Sequence, residues 1–340
     1  MNYNLLIIFL LINVPLIFFY KKLIIIFNLY DKPDNNRKLQ KKPVPLTGGL
    51  IIIYNFIIFS FINFFFDIKL FDSRFLTNNQ ELLVIFVFPL IFYFFGYLDD
   101  KYNINANTKF IILSILIILA IFLDDRFVIN ELNFSFLKHP IKLINFSVFV
   151  TLLCCLLFIN ALNMLDGIDL QAGTYVLIIF VIFIIKSILV NLFIILILST
   201  LLFLYYNYKN KSYLGNSGVI FFGYLIAYSF IKANNLNPNY FKADEIFIIM
   251  ILPGLDLFRL FFYRIFNGRH PFKGDRNHIH HLLLKFFSEK KTYFIIQMSI
   301  IFSIIGYYLL YSKLYFIITL IFFYILFVYL LKKIPVKKNY

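Results

Sequence analysis

The sequence predicts an all-α, polytopic membrane protein, and three observations lead to this prediction. Of the 340 residues, 61% are hydrophobic and 14% are charged, whereas soluble proteins contain roughly 45–50% and about 25% of these classes. Apolar stretches recur along the whole sequence, and their lengths approach the roughly 20 residues that a helix needs to cross a bilayer. The alternating segments of about 10 residues that are typical of membrane β-barrels do not occur in it.

The apolar stretches predict about eleven transmembrane helices in one integral membrane domain covering residues 1–340. The predicted spans are 4–27, 46–66, 82–98, 108–123, 146–164, 173–188, 190–206, 218–232, 245–263, 293–311 and 314–331. With this assignment, most of the 32 Lys and Arg residues fall in loops on one side of the membrane. Because positively charged loops tend to stay in the cytoplasm, the N-terminus is predicted outside and the C-terminus in the cytoplasm.

Charge and cysteine content exclude several classes of function. The net charge of +15 does not indicate nucleic acid binding, because the basic residues lie in short loops where the positive-inside rule places them. Cys154 and Cys155 are neighbours in an apolar run, which excludes a disulfide framework and a cysteine-based zinc site.

Five polar clusters stand out between the predicted spans, and all of them fall on the predicted cytoplasmic face. They are residues 31–49, 96–109, 160–173, 215–223 and 268–281. The loops on the other face are short or plain. We therefore expect one functional site at the cytoplasmic interface. A transporter would instead place polar groups near the middle of the membrane.

The second cluster contains adjacent carboxylates, Asp99 and Asp100, directly at the end of a predicted span. Carboxylates near hydrocarbon are costly unless they are paired or ligated, and two of them at a helix end can converge on a hard cation such as Mg²⁺. The alternative is a solvated interfacial pair. Asp124 and Asp125 form such a pair on the other face, without further polar clusters, and are interpreted in that way.

The third cluster repeats an amide or carboxylate every three residues, at Asn160, Asn163, Asp166 and Asp169. In a helix this spacing gives a drifting stripe of oxygen atoms along one side. Gly167 predicts that the helix ends near Asp166. Because buried polar groups need partners, the stripe favours ligand binding over packing.

The last cluster contains three imidazoles, His278, His280 and His281, next to Asp275 and Arg276. The spacing matches neither thiol-containing zinc sites nor the H-E-x-x-H pattern. Imidazole and guanidinium groups suit a site that holds phosphate oxygens or moves a proton near neutral pH. The alternative is a basic loop that only sets topology, which is also the simplest interpretation of the first loop.

Together these segments resemble the polyprenyl-phosphate N-acetylhexosamine-1-phosphate transferase family, glycosyltransferase family 4. The resemblance covers residues 28–284 and leaves 293–331 as two further transmembrane helices. It depends on DKPDNNRK (31–38) with PLTGG (45–49), GYLDD (96–100), NALNMLDGID (160–169), GNSG (215–218) and PFKGDRNHIHH (271–281). The first and last motifs are most similar to the branch of undecaprenyl-phosphate N-acetylglucosaminyl 1-phosphate transferases.

The resemblance implies transfer of a sugar 1-phosphate from a UDP-N-acetylhexosamine, GlcNAc by default, to undecaprenyl phosphate with release of UMP. This would be the first membrane step of a cell-surface polysaccharide pathway, such as lipopolysaccharide O-antigen or cell wall synthesis. It implies a Mg²⁺ cofactor, with Mn²⁺ as an alternative ion, and a multi-pass protein of the bacterial cytoplasmic membrane with its site on the cytoplasmic face. Undecaprenyl phosphate and the UDP-sugar are the expected partners, and no nucleic acid is expected. The resemblance leaves open whether the protein forms a homodimer.

The resemblance also implies roles for individual residues. The expected catalytic residues are Asp99, Asp100, Asp166 and His280, and the expected metal ligands are Asp99, Asp100, Asn163, Asp166 and Asn216. The expected substrate-binding residues are Arg37, Lys38, Asn160, Asp169, Asp275, Arg276, His278 and His281.

Two positions depart from the family pattern. Gln40 replaces a histidine, and Asn216 replaces the aspartate of the G-D-x-G motif. An amide oxygen can still coordinate Mg²⁺, but it brings no charge, so a weaker metal site is expected. The alternatives are a catalytically lapsed scaffold, a transporter of the same fold, and a phospho-N-acetylmuramoyl-pentapeptide-type transferase.

Overall fold

The computed structural model describes residues 3–31, 33, 42–66, 68–71, 75–76, 78–269 and 276–334. It is mostly helical, which confirms the predicted all-α class. The helices are α1 (Tyr3–Phe27), α2 (Gly48–Phe66), α3 (Asn79–Tyr102), α4 (Ala106–Leu123), α5 (Ser147–Leu165), α6 (Gln171–Ile185), α7 (Val190–Tyr208), α8 (Gly215–Leu236), α9 (Ala243–Ile249), α10 (Ile251–Phe266), α11 (Ile279–Leu283), α12 (Glu289–Leu309) and α13 (Lys313–Lys333). Two short antiparallel pairs join β1 (Tyr30–Asp31) to β2 (Val44–Pro45) and β3 (Glu131–Leu132) to β4 (Ile141–Lys142).

The number of membrane spans differs from the prediction. Within the described residues, nine helices are long and apolar enough to cross a bilayer, or ten if α9 and α10 form one bent span. The predicted count of eleven is therefore not confirmed. Helix α6 has 15 residues, fewer than the roughly 20 that a span requires. Helices α9 and α10 meet at an angle of 81°. Pro253 lies just after this break, and its missing N–H removes a hydrogen bond that a continuous helix would make.

The chain divides into two compact units, and some of the boundaries between them fall inside α4, α6 and α8. The first unit comprises residues 1–105, 122–124 and 172–226. In it, α2 packs along α7, and Phe92 of α3 stacks on Tyr224 of α8 with ring centroids 4.1 Å apart. The first residues of α2 hydrogen-bond to the segment before α8, since Gly48 and Gly49 donate their N–H groups to the carbonyls of Tyr213 and Leu214. The starts of α2 and α8 are thus fixed together.

The second unit comprises residues 106–121, 125–171 and 227–340. Here α5 packs against α10, and α12 packs against α9. The β3–β4 hairpin is attached to α9, because the backbone N–H of Ser135 donates to the buried carboxylate of Asp244 at 2.8 Å. Tyr307 of α12 donates to the same carboxylate at 2.8 Å. These bonds give a buried charge the partners that it needs.

Candidate active site

Asp99 and Asp100 occupy the last turn of α3, as the sequence predicts. The helix ends at Tyr102, and its C-cap residue Asn103 adopts a left-handed conformation (φ 50°) and donates its N–H to the carbonyl of Asp99 at 2.8 Å. Asp99 is buried, with 4% of its surface exposed. Two carboxylates therefore lie at the negative end of a helix dipole, an arrangement that a positive charge would stabilise.

The Asp100 carboxylate receives the first backbone amides of α8. The N–H of Asn216 donates to Oδ1 at 2.9 Å, and the N–H of Ser217 donates to Oδ2 at 3.1 Å. These are the amides that a helix start leaves without internal partners, and the helix dipole favours a negative charge there. Asp100 therefore caps α8 from a distance of 116 residues in sequence, in addition to any role in ligand binding.

Glycines permit the close approach that this capping requires. A Cβ atom at Gly96 would lie 2.5 Å from Cα of Ser217, and one at Gly49 would lie 2.6 Å from the backbone nitrogen of Gly218. Gly215 has φ +75°, and a Cβ there would lie 2.7 Å from Oδ2 of Asp100. The glycines of the predicted motifs thus let α2 and α3 approach the start of α8.

The oxygen atoms that this unit offers as metal ligands fit a hard cation only in part. Within the described residues, no group of three or more His, Cys, Asp or Glu side chains is placed to hold a metal ion. Carboxylate oxygens of Asp99 and Asp100 are nevertheless the ligands that Mg²⁺ prefers, and Mg²⁺ often takes one or two carboxylates and completes its shell with water and substrate phosphates. The two aspartates suit that kind of site, whereas a closed site made by protein alone is not indicated.

The asparagine and aspartate stripe of the third cluster lies at the end of α5, in the second unit. The helix ends at Leu165 and Asp166 is its C-cap, donating its N–H to Leu162 at 3.2 Å, so the predicted helix end is confirmed. Asn160 donates its side-chain amide to the carbonyl of Leu156 at 2.7 Å. Asn163, Asp166 and Asp169 are partly exposed, which leaves part of each side chain accessible.

Gly167 brings this helix end against the histidine cluster. A Cβ atom at position 167 would lie 2.3 Å from Nε2 and 2.4 Å from Cε1 of His280. Met164 and Leu165 of α5 also line a small cavity together with Asp256 of α10 and His280. The structure therefore brings the third and fifth predicted clusters together within the second unit.

The three imidazoles lie close to one another. The ring centroids of His278 and His280 are 5.6 Å apart with nearly parallel planes, and those of His280 and His281 are 4.1 Å apart. Burial, reinforced by the neighbouring His281 and His278, lowers the pKa of His280 to about 3. His280 is therefore neutral near pH 7, and a neutral imidazole offers one N–H donor and one nitrogen acceptor.

Asp256 and Arg259 of α10 and Tyr324 of α13 were not predicted as site residues, yet they hold the histidine segment. Asp256 is buried and accepts from His278 Nδ1 at 3.2 Å. A signal was present in the sequence, because two ionisable residues interrupt the apolar run of residues 251–263, and such residues in a span usually have a specific function.

The remaining predicted residues divide into two groups. Arg276 is described and exposed, and Asn216 is partly exposed and contacts Asp100 through its backbone. Arg37, Lys38 and Asp275 lie outside the described residues. The proposed roles of all site residues stay predictions.

Comparison with known proteins agrees with the motifs. Residues 82–234 match the sequence model of glycosyl transferase family 4. The chain is 28% identical over 300 residues to the probable undecaprenyl-phosphate N-acetylglucosaminyl 1-phosphate transferase of Bacillus subtilis, covering 84% of this chain and 78% of the relative. It is 24% identical over 310 residues to the undecaprenyl-phosphate alpha-N-acetylglucosaminyl 1-phosphate transferase of Yersinia pestis, covering 85% and 79%.

The protein of the same name from Escherichia coli K12 is 24% identical over 298 residues, covering 83% of this chain and 77% of the relative. The predicted family resemblance and branch are confirmed by these similarities.

Proposed function

We propose that this chain, as a member of glycosyl transferase family 4, is a multi-pass membrane enzyme. The enzyme transfers a sugar 1-phosphate from UDP-N-acetylglucosamine to undecaprenyl phosphate and releases UMP. The observation that carries this proposal is the shared name of relatives that align with 83–85% of the chain. The predicted cytoplasmic site, the homodimer and the role in surface-polysaccharide synthesis belong to the same proposal.

The reaction requires a phosphate oxygen of the lipid to attack the sugar-bearing phosphorus of the donor. A new phosphorus–oxygen bond forms, and the bond to the bridging oxygen breaks, so that this oxygen leaves with UMP. Because both reactants are anionic, catalysis depends on positioning and on neutralising charge. Residues that bind phosphate oxygens and hold a cation are therefore the ones expected to affect the rate.

The acidic residues of the first unit suit the cation. Asp99 and Asp100 would hold Mg²⁺, or Mn²⁺ as the alternative, and the bound ion would neutralise charge on the phosphates. Asp100 also keeps the start of α8 in place through the amides of Asn216 and Ser217. Its carboxylate would thus have a structural and a chemical task.

The polar residues of the second unit suit binding of the donor substrate, the UDP-sugar. Asn163, Asp166 and Asp169 present oxygens at the end of α5, and Arg276 and the imidazoles can donate hydrogen bonds to phosphate oxygens. Neutral His280 offers one N–H donor and one nitrogen acceptor. Together these groups would bind the diphosphate and the nucleotide.

An assay of the purified full-length chain tests the proposal. Undecaprenyl phosphate and Mg²⁺ are supplied with a panel of UDP-N-acetylhexosamines, and UMP and the lipid diphosphate sugar are measured. We expect UDP-N-acetylglucosamine to give the highest rate. No UMP from any donor would indicate a lapsed scaffold, and reaction only with the muramoyl-pentapeptide donor would assign the chain to the other branch.

Asn216 offers a second test, of the metal requirement. If its side chain lies beside the cation, Asn216→Asp should lower the Mg²⁺ concentration that gives half-maximal transfer, because a carboxylate offsets more of the dehydration cost than an amide does. The measurement is a Mg²⁺ titration of both proteins at saturating donor and lipid. Identical curves would remove Asn216 from the metal ligands.

A further inference from the structure

We infer that Asp256, Arg259 and Tyr324 form a buried support that positions His278 and the following helix α11 for the transfer reaction. The inference rests on the proposed function for its catalytic consequence. Its structural part concerns only the second unit, where α10, α13 and residues 276–283 are described. None of the three residues was part of the motifs from which the family resemblance was drawn.

The Asp256 carboxylate has its full set of hydrogen bonds. Oδ1 accepts from Arg259 Nη2 at 2.6 Å and from the Tyr324 hydroxyl at 2.9 Å. Oδ2 lies 3.2 Å from Nδ1 of His278, and the N–H of Ile279 lies 3.2 and 3.3 Å from the two oxygens. A carboxylate accepts about four hydrogen bonds. Asp256 therefore has little capacity left for a metal or a substrate, so it is a positioning residue.

Arg259 and Tyr324 link the support to the last helix. Tyr324 donates to Asp256 and accepts from Arg259 Nε at 3.0 Å. Arg259 Nη2 also donates to the carbonyl of Asn277 at 2.6 Å. The guanidinium thus bridges α10, α13 and the residue preceding His278, a geometry that the single ammonium of lysine does not reproduce.

The consequence for His278 is a fixed ring orientation. Because Asp256 accepts a hydrogen bond from Nδ1 at 3.2 Å, Nε2 is the ring nitrogen left for another partner. His278 is also the N-cap of α11, which carries His280 and His281. Orientation of one imidazole by Asp256 therefore sets the start of the helix that holds the other two.

Tyr324→Phe provides the first test, because it removes the hydroxyl and keeps the ring. Groups that orient a histidine are worth about 10–100-fold at metal sites where this has been measured, so we expect a fall of about tenfold in kcat for sugar-phosphate transfer. In hydrogen-exchange mass spectrometry of the full chain, the peptide containing Ile279 should exchange faster than in wild type. Tyr329→Phe is the matched control, since Tyr329 is on the same helix and 52% exposed.

Asp256→Asn provides the second test. Arg259→Lys is measured beside it, because lysine keeps the charge but does not reproduce the bridge that the guanidinium makes. The asparagine replaces one acceptor oxygen by a donor, so the loss in kcat should approach a hundredfold, and the exchange near Ile279 should rise further. A thermal unfolding scan identifies variants that are folded.

Two outcomes would overturn the inference. One is unchanged exchange around Ile279 in folded Tyr324→Phe and Asp256→Asn proteins, and the other is faster exchange with an unaltered transfer rate. Failure of the proposed function itself would look different: wild type would form no product with any donor, while the exchange experiment would still report whether the support holds the histidine segment.

Discussion

Asp100→Asn is expected to lower the rate of sugar-phosphate transfer by about 10²–10³-fold, which is the usual cost of removing one electrostatic stabiliser from an active site. The substitution keeps the size of the side chain and removes its charge. In wild type, the amides of Asn216 and Ser217 donate to the two carboxylate oxygens at 2.9 and 3.1 Å. In the variant, an N–H₂ group replaces one of these oxygens and cannot accept a hydrogen bond from a backbone amide. The measurement is UMP release by purified protein at saturating substrates.

Asp125→Asn is the matched control for this variant. Asp125 is also the second member of an Asp pair beside a helix end, but it is exposed and belongs to none of the predicted motifs. We expect its transfer rate to equal that of wild type. An Asp100→Asn enzyme as active as the control would remove Asp100 from the catalytic residues and leave it only the capping of α8.

Local features of this fold could be predicted from the sequence because local chemistry determines them. Helix α5 ends at Leu165 with Asp166 as its C-cap, close to the end that Gly167 predicts, and α3 carries the aspartate pair in its last turn. In both cases an apolar run stops at residues that a lipid-facing helix cannot contain. Hydropathy predicted the number of spans less well, because an apolar run shows neither that α6 has only 15 residues nor that α9 and α10 meet at 81°.

Contacts between residues distant in sequence could not be predicted in the same way. Asp100 and Asn216 are 116 residues apart, and Asp256 and Tyr324 are 68 apart. The identity of one partner says nothing about which helix supplies the other. The glycines are a related case, because a motif shows that glycine is present but not that Gly96 permits the backbone of Ser217 to approach.

Gly167→Ala is expected to lower the transfer rate by about a hundredfold without unfolding the protein. Its Cβ would lie 2.3 Å from Nε2 of His280, so the ring and the loop after Asp166 have to separate by about 1 Å to restore an ordinary contact, and a misplacement of that size can cost about 10²-fold in rate. His280 has little room to move, because only 3% of its surface is exposed.

Gly254→Ala separates this steric effect from the general effect of replacing a glycine. A Cβ at Gly254 of α10 meets no atom within 4 Å, and alanine is the better helix former by about 1 kcal/mol. This variant should therefore keep the wild-type rate and unfold at the same temperature or higher. Because the added methyl group is the same in both proteins, a hundredfold loss confined to Gly167→Ala would place the cause at His280. If Gly167→Ala kept the wild-type rate as Gly254→Ala does, the assignment of His280 and the Asp166 loop to the active site would be contradicted.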